Sequence, residues 1–436
     1  MLQLLKASFK LQMKFVQILK WLVVITAAAT IVLIISCMIP NERIKQHIEQ
    51  ETTQQTILSK MYYCMWGGEH LEDNLMPVVD AFILNCLYNE KSNSFIKDAL
   101  VYRQYIGDTI NLPDALQADV ALRAEAKKES DYKSYECYWL GYTAPLRVLL
   151  SIMSYRRVVQ CFTIFMWMIT ILTFVYSFIK TGDLWIPLAY YVMLYSINYV
   201  TLIHNIYLGG IIFAISSLGI CALLSGKVKN HMLFMLVIGC ITAYYDYFSV
   251  PFVTWGILLC VELYRINEKK ITAVLNLCTN SSVGWCVGYG WMILSKTLVA
   301  LPVNGLNAFK VFAERFLIET VDVKSDYGPS VWRMITCLHP LSTFSKGGIQ
   351  VLLLIMLLSV IYFMIQDRKN YIIYIAYMLI GISPMVWFWV FKGHIHHYFL
   401  DYRTLAISVF AWAMSVAYYS RKYAHRSKLR TNISED

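Results

Sequence analysis

Charge is what this sequence has least of. Only 15% of its 436 residues are Asp, Glu, Lys or Arg, while 58% are hydrophobic. Soluble domains carry about 25% charged residues, so this complement excludes a string of soluble domains of the same length. Phosphate-cradling glycine loops are also missing. Gly67-Gly68 and Gly209-Gly210 are isolated pairs with no strand-turn-helix setting around them. There is no internal repeat and no low-complexity segment, and the inverted repeats of many transporters are not visible. The cysteines match no zinc spacing. The first apolar run ends in Cys37-Met-Ile-Pro40, without the small-residue site at which a signal peptide is cut, so that run is expected to stay as an anchor.

Long apolar runs are there in abundance. Ten approach the length that crosses a hydrocarbon core, at about 21–39, 158–179, 185–203, 206–224, 232–246, 250–264, 279–297, 349–366, 371–391 and 404–420. They predict an all-α, polytopic transmembrane bundle, a single integral membrane domain over residues 1–436 in the cell membrane, with the lipid bilayer as its first partner. Orientation follows from the basic residues. With the N-terminus cytoplasmic, Lys6, Lys10, Lys14, Lys20, Lys180, Lys227, Lys229, Arg265, Lys269, Lys270, Arg368, Lys369, Arg421 and Lys422 all fall inside, as does the C-terminus. The net charge of +10 is therefore a topology signal, and no nucleic-acid partner is needed to explain it.

Two connections are long, residues 40–157 and 298–348, and both fall on the outer side. The inner links are short, which leaves no room for a cytoplasmic nucleotide-binding domain and puts function on the outer face. Ile44 and Ile48 predict a juxtamembrane helix after Pro40, 76–87 a short buried helix, 112–128 a surface helix and 146–153 an interfacial one. Leu306, Phe309, Phe312, Phe316 and Leu317 fall at helical spacing in the second connection. Cys64, Cys86, Cys137 and Cys337 lie outside the apolar runs, where disulfide pairing is open.

Four clusters have the residue types that chemistry needs. Lys392 to Arg403 holds His394, His396, His397, Asp401, Tyr402 and Arg403, and ionisable groups at membrane depth usually face a site. The histidines read as a metal site, as a phosphate-binding and proton-transfer site, or as a wet loop. Phosphate is favoured over metal, because no cysteine is near and Arg403 repels a cation. Asp246 sits in Tyr244-Tyr245-Asp-Tyr-Phe-Ser-Val-Pro251, between two short apolar runs. It is either a functional carboxylate or a cap for the helix that follows. Glu69, His70, Asp73 and Asn74 offer a base for a hydroxyl, or an acidic turn that caps a helix. Tyr142 and Arg147 precede the second run, where a guanidinium binds phosphate bidentately or snorkels to the interface; Arg156 and Arg157 carry the same choice.

Asp73-Asn74, Tyr138-Trp-Leu-Gly-Tyr142 with Leu146-Arg147-Val-Leu-Leu150, Tyr245-Asp-Tyr-Phe-Ser-Val-Pro251 and His397-Tyr-Phe-Leu-Asp-Tyr402-Arg403 together resemble the blocks of a family of uncharacterised polytopic membrane proteins of Gram-positive bacteria. Val148 stands where that family usually has proline, and Ser249 and Asp401 where it has threonine. More distantly, the architecture is similar to GT-C membrane glycosyltransferases, with a cytoplasmic N-terminus and a long first outer loop. That resemblance implies a polyprenyl-phosphate-linked sugar as donor and a cell-surface glycan as acceptor. It implies Asp73 or Glu69 as catalytic base, Asp246 as an orienting carboxylate, and Arg147 and Arg403 with the histidines as the grip on the lipid phosphate. His70, Asn74, Tyr142, Tyr245 and Tyr402 complete the expected substrate contacts. Neither a metal nor a cofactor is expected. A polymerase of lipid-linked repeat units, or a flippase or transporter of a glycan precursor, is the alternative.

Overall fold

The computed structural model describes residues 2–53, 63–64, 74–75, 80, 83–84, 86–87, 94–105, 132–134, 137–206, 209–246, 248–266, 270–320, 331–338, 346–393 and 401–434. The described chain is helical apart from two short antiparallel ribbons, β1 (Tyr63–Cys64) with β2 (Asn74–Leu75) and β3 (Arg103–Tyr105) with β4 (Tyr132–Ser134). Both ribbons lie in the first long connection, which the pattern predicts to be mostly helical. Strands of two or three residues are too short to leave a readable alternation.

Five helices are long and apolar enough to cross a membrane: Val16–Cys37, Tyr155–Thr181, Ile271–Asn304, Gly347–Gln366 and Arg368–Val390. The first lies within α1 (Leu2–Cys37). Pro40 breaks the chain, and α2 (Asn41–Thr53) follows with Ile44 and Ile48 buried as the spacing predicts. The 76–87 segment lies in part outside the described residues; Asp80, Ile83, Leu84, Cys86 and Leu87 from it are buried. The 112–128 segment lies wholly outside them. Next come α3 (Phe95–Leu100), α4 (Thr143–Ile152) and α5 (Tyr155–Thr181). Cys86, Cys137 and Cys337 are buried.

Several of the apolar runs make shorter helices. The run at 185–203 is interrupted: α6 (Trp185–Ser196) ends before Asn198, whose φ of 49° turns the chain into α7 (Tyr199–Ile203). Then α8 (Gly210–Leu224), α9 (His231–Tyr245) and α10 (Phe252–Arg265) have 15, 15 and 14 residues. They rise about 21–23 Å, short of a hydrocarbon core of about 30 Å. These helices can be short because protein surrounds them. Every residue of α10 from Gly256 to Tyr264 is buried, whereas α5 leaves Ile171 and Leu172 57% and 61% exposed.

The scaffold is α11 (Ile271–Asn304), 34 residues and about 51 Å long. It lies against α9 with backbones nearly touching. A Cβ at Gly284 would stand 2.2 Å from the Met232 carbonyl oxygen, and one at Gly288 2.1 Å from that of Leu236. Small residues permit such an approach where hydrocarbon supplies no solvent-driven association. Indole and hydroxyl groups then fix the neighbours. Trp285 Nε1 donates to Thr254 on α10 at 2.9 Å, and Trp291 Nε1 to Thr26 on α1 at 2.9 Å.

Beyond α11, the amphipathic helix predicted around Leu306–Leu317 is α12 (Asn307–Thr320), with Phe309, Phe316 and Leu317 exposed. The chain continues through α13 (Val331–Thr336), α14 (Lys346–Gln366), α15 (Tyr371–Val390) and a 3-10 turn (Tyr402–Leu405) into α16 (Ala406–Ser434).

Substituting Gly288 by Val is expected to destabilise the protein by about 3 kcal/mol, the upper part of the usual range for overpacking, since a backbone contact cannot relax as a side chain does. Gly290→Val, with nothing within 4 Å of its Cβ, should melt within a few degrees of the wild type in detergent. Equal melting temperatures for the two variants would contradict the packing.

Candidate functional site

Three of the four sequence clusters meet at one end of α9. The turn after α9 is built around Asp246, which is buried. Its Oδ1 accepts from the Val250 N–H at 3.2 Å and the Ser249 hydroxyl at 3.4 Å, and its Oδ2 accepts from the Tyr289 hydroxyl of α11 at 3.0 Å. Asp246 does not cap the following helix, whose N-cap Pro251 has no side-chain partner; its carboxylate instead closes the turn before that helix and is tethered by a tyrosine. Phe248 in the same turn has φ of 64°, a conformation that costs a bulky residue and persists only under external constraint. Packing supplies that constraint: its ring lies 5.8 Å from Tyr138, 6.1 Å from Tyr289 and 6.2 Å from Trp387.

The segment before α4 docks on this turn. Gly141 N–H donates to the Tyr244 carbonyl at 2.8 Å, and the Trp139 ring lies 5.9 Å from that of Tyr244. Trp139 Nε1 donates to the Met292 carbonyl on α11 at 2.6 Å. From the C-terminal side, Thr404 donates to the Ser249 carbonyl at 3.1 Å, and Tyr402 to the Ile197 carbonyl at 3.0 Å. Arg403, wholly buried, lies 4.8 Å from the centre of the Tyr402 ring. Glu69, His70, Asp73, His394, His396 and His397 lie outside the described residues, and Asn74 is placed only as part of β2.

An apolar groove of about 700 Å³ starts at this meeting point, a size within the range of small-molecule sites. Its head is formed by Tyr142, Pro145 and Tyr245, and its walls by α4, α5, α8 and α9 down to Ala222 and Phe234. Phe234 and Tyr245 are separated by about 16 Å along α9. Besides the two tyrosine hydroxyls and the Cys161 thiol, the described side chains that line it are hydrocarbon.

Arg147 is not on the groove wall. Tyr142, Pro145, Leu146 and Leu149 line the groove from one side of α4, whereas Arg147 falls on the opposite side with Thr143 and Leu150. At 1% exposure it does not snorkel; Arg156 and Arg157 are the exposed pair. Arg403 is likewise buried and absent from the groove's lining. The sequence clusters therefore come together, but the two guanidinium groups do not form a wall of the groove.

Two charged groups escaped the sequence reading. Asp80 is buried beside the head, where its Oδ2 accepts from the Tyr155 hydroxyl and, at 3.1 Å, from the Ile206 N–H. Asp80, Tyr142, Leu146 and Ile206 share a small void next to the groove. Lys296 is fully buried on α11. Its Nζ donates to the Leu100 carbonyl at 2.9 Å and lies 5.2 Å and 5.5 Å from the ring centres of Tyr102 and Trp139. A lone acid in an apolar stretch was the only available signal for Asp80, and a lone lysine near the end of an apolar run for Lys296. Among the described residues, no group of three His, Cys, Asp or Glu side chains is placed to hold a metal ion.

No family model matches the chain, and neither a curated protein nor a solved structure matches it. Fold and site together define a helical protein with five helices fit to cross a membrane.

Tyr289→Phe removes a hydrogen bond to a buried carboxylate and is expected to cost about 1–3 kcal/mol. Thermal unfolding in detergent measures it. A Tyr289→Phe protein as stable as the wild type would mean that Asp246 does not depend on α11.

Proposed function

We propose that the protein is a GT-C-like glycosyltransferase, multi-pass in the cell membrane, that moves a sugar from a polyprenyl-phosphate donor to a cell-surface glycan. In this reading the shorter helices complete ten crossings together with their flanking turns, both termini are cytoplasmic, and the Asp246 end is the outer one. The observation that carries the proposal is the groove. It offers nearly all-hydrocarbon walls along about 16 Å of α9 and, apart from the Cys161 thiol, presents polar groups where Tyr142 and Tyr245 close its head. A polyprenyl chain fits the walls, and its phosphate belongs at the head.

The transfer needs one displacement. An acceptor hydroxyl oxygen attacks the anomeric carbon, the bond from that carbon to the phosphate oxygen breaks, and polyprenyl phosphate leaves with the electron pair. The hydroxyl proton passes to a carboxylate. Asp80 stands beside the groove's head, and Asp73 and Glu69 precede it in the same connection. Arg147 and Arg403, buried and therefore weakly screened, add positive potential where charge develops on the leaving phosphate. His394, His396 and His397 enter on the same strip of chain as Arg403. Asp246 holds the turn that carries Tyr245.

Vesicles supplied with polyprenyl-phosphoryl sugar provide the test. Asp80→Asn, Asp246→Asn and Arg403→Ala should each lower transfer by about a hundredfold or more, the scale for losing a preorganised charge partner. Cys161→Trp fills the groove from an exposed position and should raise KM for the donor. Activity retained in all four variants would overturn the proposal.

A further inference from the structure

The opposite end of α9 carries a separate constellation, remote from the groove's head. His231, the first residue of α9, holds Glu262 of α10 through Nδ1 and Oε1 at 2.5 Å, and Ser281 of α11 donates to Glu262 Oε2 at 2.6 Å. The Glu262 side chain is 1% exposed and that of His231 37%. With Nδ1 committed, ring orientation and tautomer are fixed by the carboxylate. Nε2 has no partner among the described residues.

His231 borders a cavity of about 430 Å³, to which Gln17, Lys229, Asn230 and Asn280 contribute. Its lining is more polar than the groove's. Five polar side chains face it beside Ile18, Met232, Leu233 and Leu277, and none of the described lining residues is acidic. The Asn230 carboxamide oxygen is used by the Leu233 N–H at 3.1 Å, which leaves its NH2 as a donor. An ammonium, an imidazole and carboxamide donors around one cavity match an anion with several acceptor oxygens.

We infer that this cavity binds the phosphoryl group of an anionic ligand, with Lys229 and His231 as the charged donors and Asn230 and Asn280 as the neutral ones. Glu262 acts as a positioning residue: it aims the imidazole, and its own charge is taken up by His231 and Ser281. The phosphoryl group comes either from a soluble phosphorylated molecule or from a phospholipid headgroup. The inference does not rest on glycosyl transfer, because it concerns the other end of the bundle.

The test uses the full chain in phosphatidylcholine nanodiscs, with equilibrium dialysis against radiolabelled inorganic phosphate. A parallel arm replaces the phosphate with nanodiscs containing phosphatidic acid and counts retained lipid by native mass spectrometry. His231→Gln keeps a donor for Glu262, and Lys229→Ala is a change at an exposed position that leaves the fold intact. His231→Gln should weaken binding at least tenfold and Lys229→Ala several-fold. Saturable phosphate binding with these losses identifies a soluble ligand, and saturable phosphatidic-acid binding with the same losses identifies a headgroup; both support the inference. No saturable binding of either probe, or binding unchanged in both variants, overturns it.

Discussion

The near-contact of the α9 and α11 backbones at Gly284 and Gly288 sets the positions of everything at the Asp246 end. Tyr289, next to Gly288, reaches the Asp246 carboxylate only because the two axes are that close. One turn earlier, Trp285 ties α10 into the same unit. One turn later, Met292 offers its carbonyl to Trp139 and so anchors the segment that begins α4. A larger residue at either glycine would push α9 away and break these links together. In hydrocarbon, such contacts and buried hydrogen bonds carry association that apolar burial supplies in water.

The groove has nearly all-hydrocarbon walls, with tyrosines at its head. The charges are buried off the groove's wall: Arg147 on the far side of α4, Arg403 against the Tyr402 ring, and Lys296 against Tyr102 and Trp139. A cation placed on a lipid-exposed wall would be expensive to keep there. Within the bundle, Lys296 and Arg403 lie against aromatic faces instead. Lys296 shows the cost being met locally, through the Leu100 carbonyl and two rings.

Local pattern was enough for part of this arrangement. The helix after Pro40, the amphipathic helix near Phe312 and the tight turn at Asp246 could all be read from spacing, since each depends on neighbours a few residues away. The meeting of the Trp139, Asp246 and Arg403 segments was suggested only by their all lying on the predicted outer face. The groove was not legible, because four helices far apart in sequence form it. Nor was the side of α4 that Arg147 occupies, which depends on what packs against that helix. The short lengths of α8, α9 and α10 follow the apolar runs closely, but the protein that surrounds them could not be read from spacing. The Lys229–His231 cavity escaped because Glu262 and Ser281 lie 31 and 50 positions beyond His231 in the chain.

The central claim is that the groove holds a lipid tail with its phosphate at the Tyr142–Tyr245 head. Cryo-electron microscopy of the full chain in nanodiscs containing polyprenyl phosphate tests it most directly. The account predicts continuous tail density between α5, α8 and α9, ending in a phosphate beside Tyr142 and Tyr245. A groove filled only by ordinary phospholipid, or a polyprenyl phosphate bound with its headgroup at the Phe234 end, would contradict it.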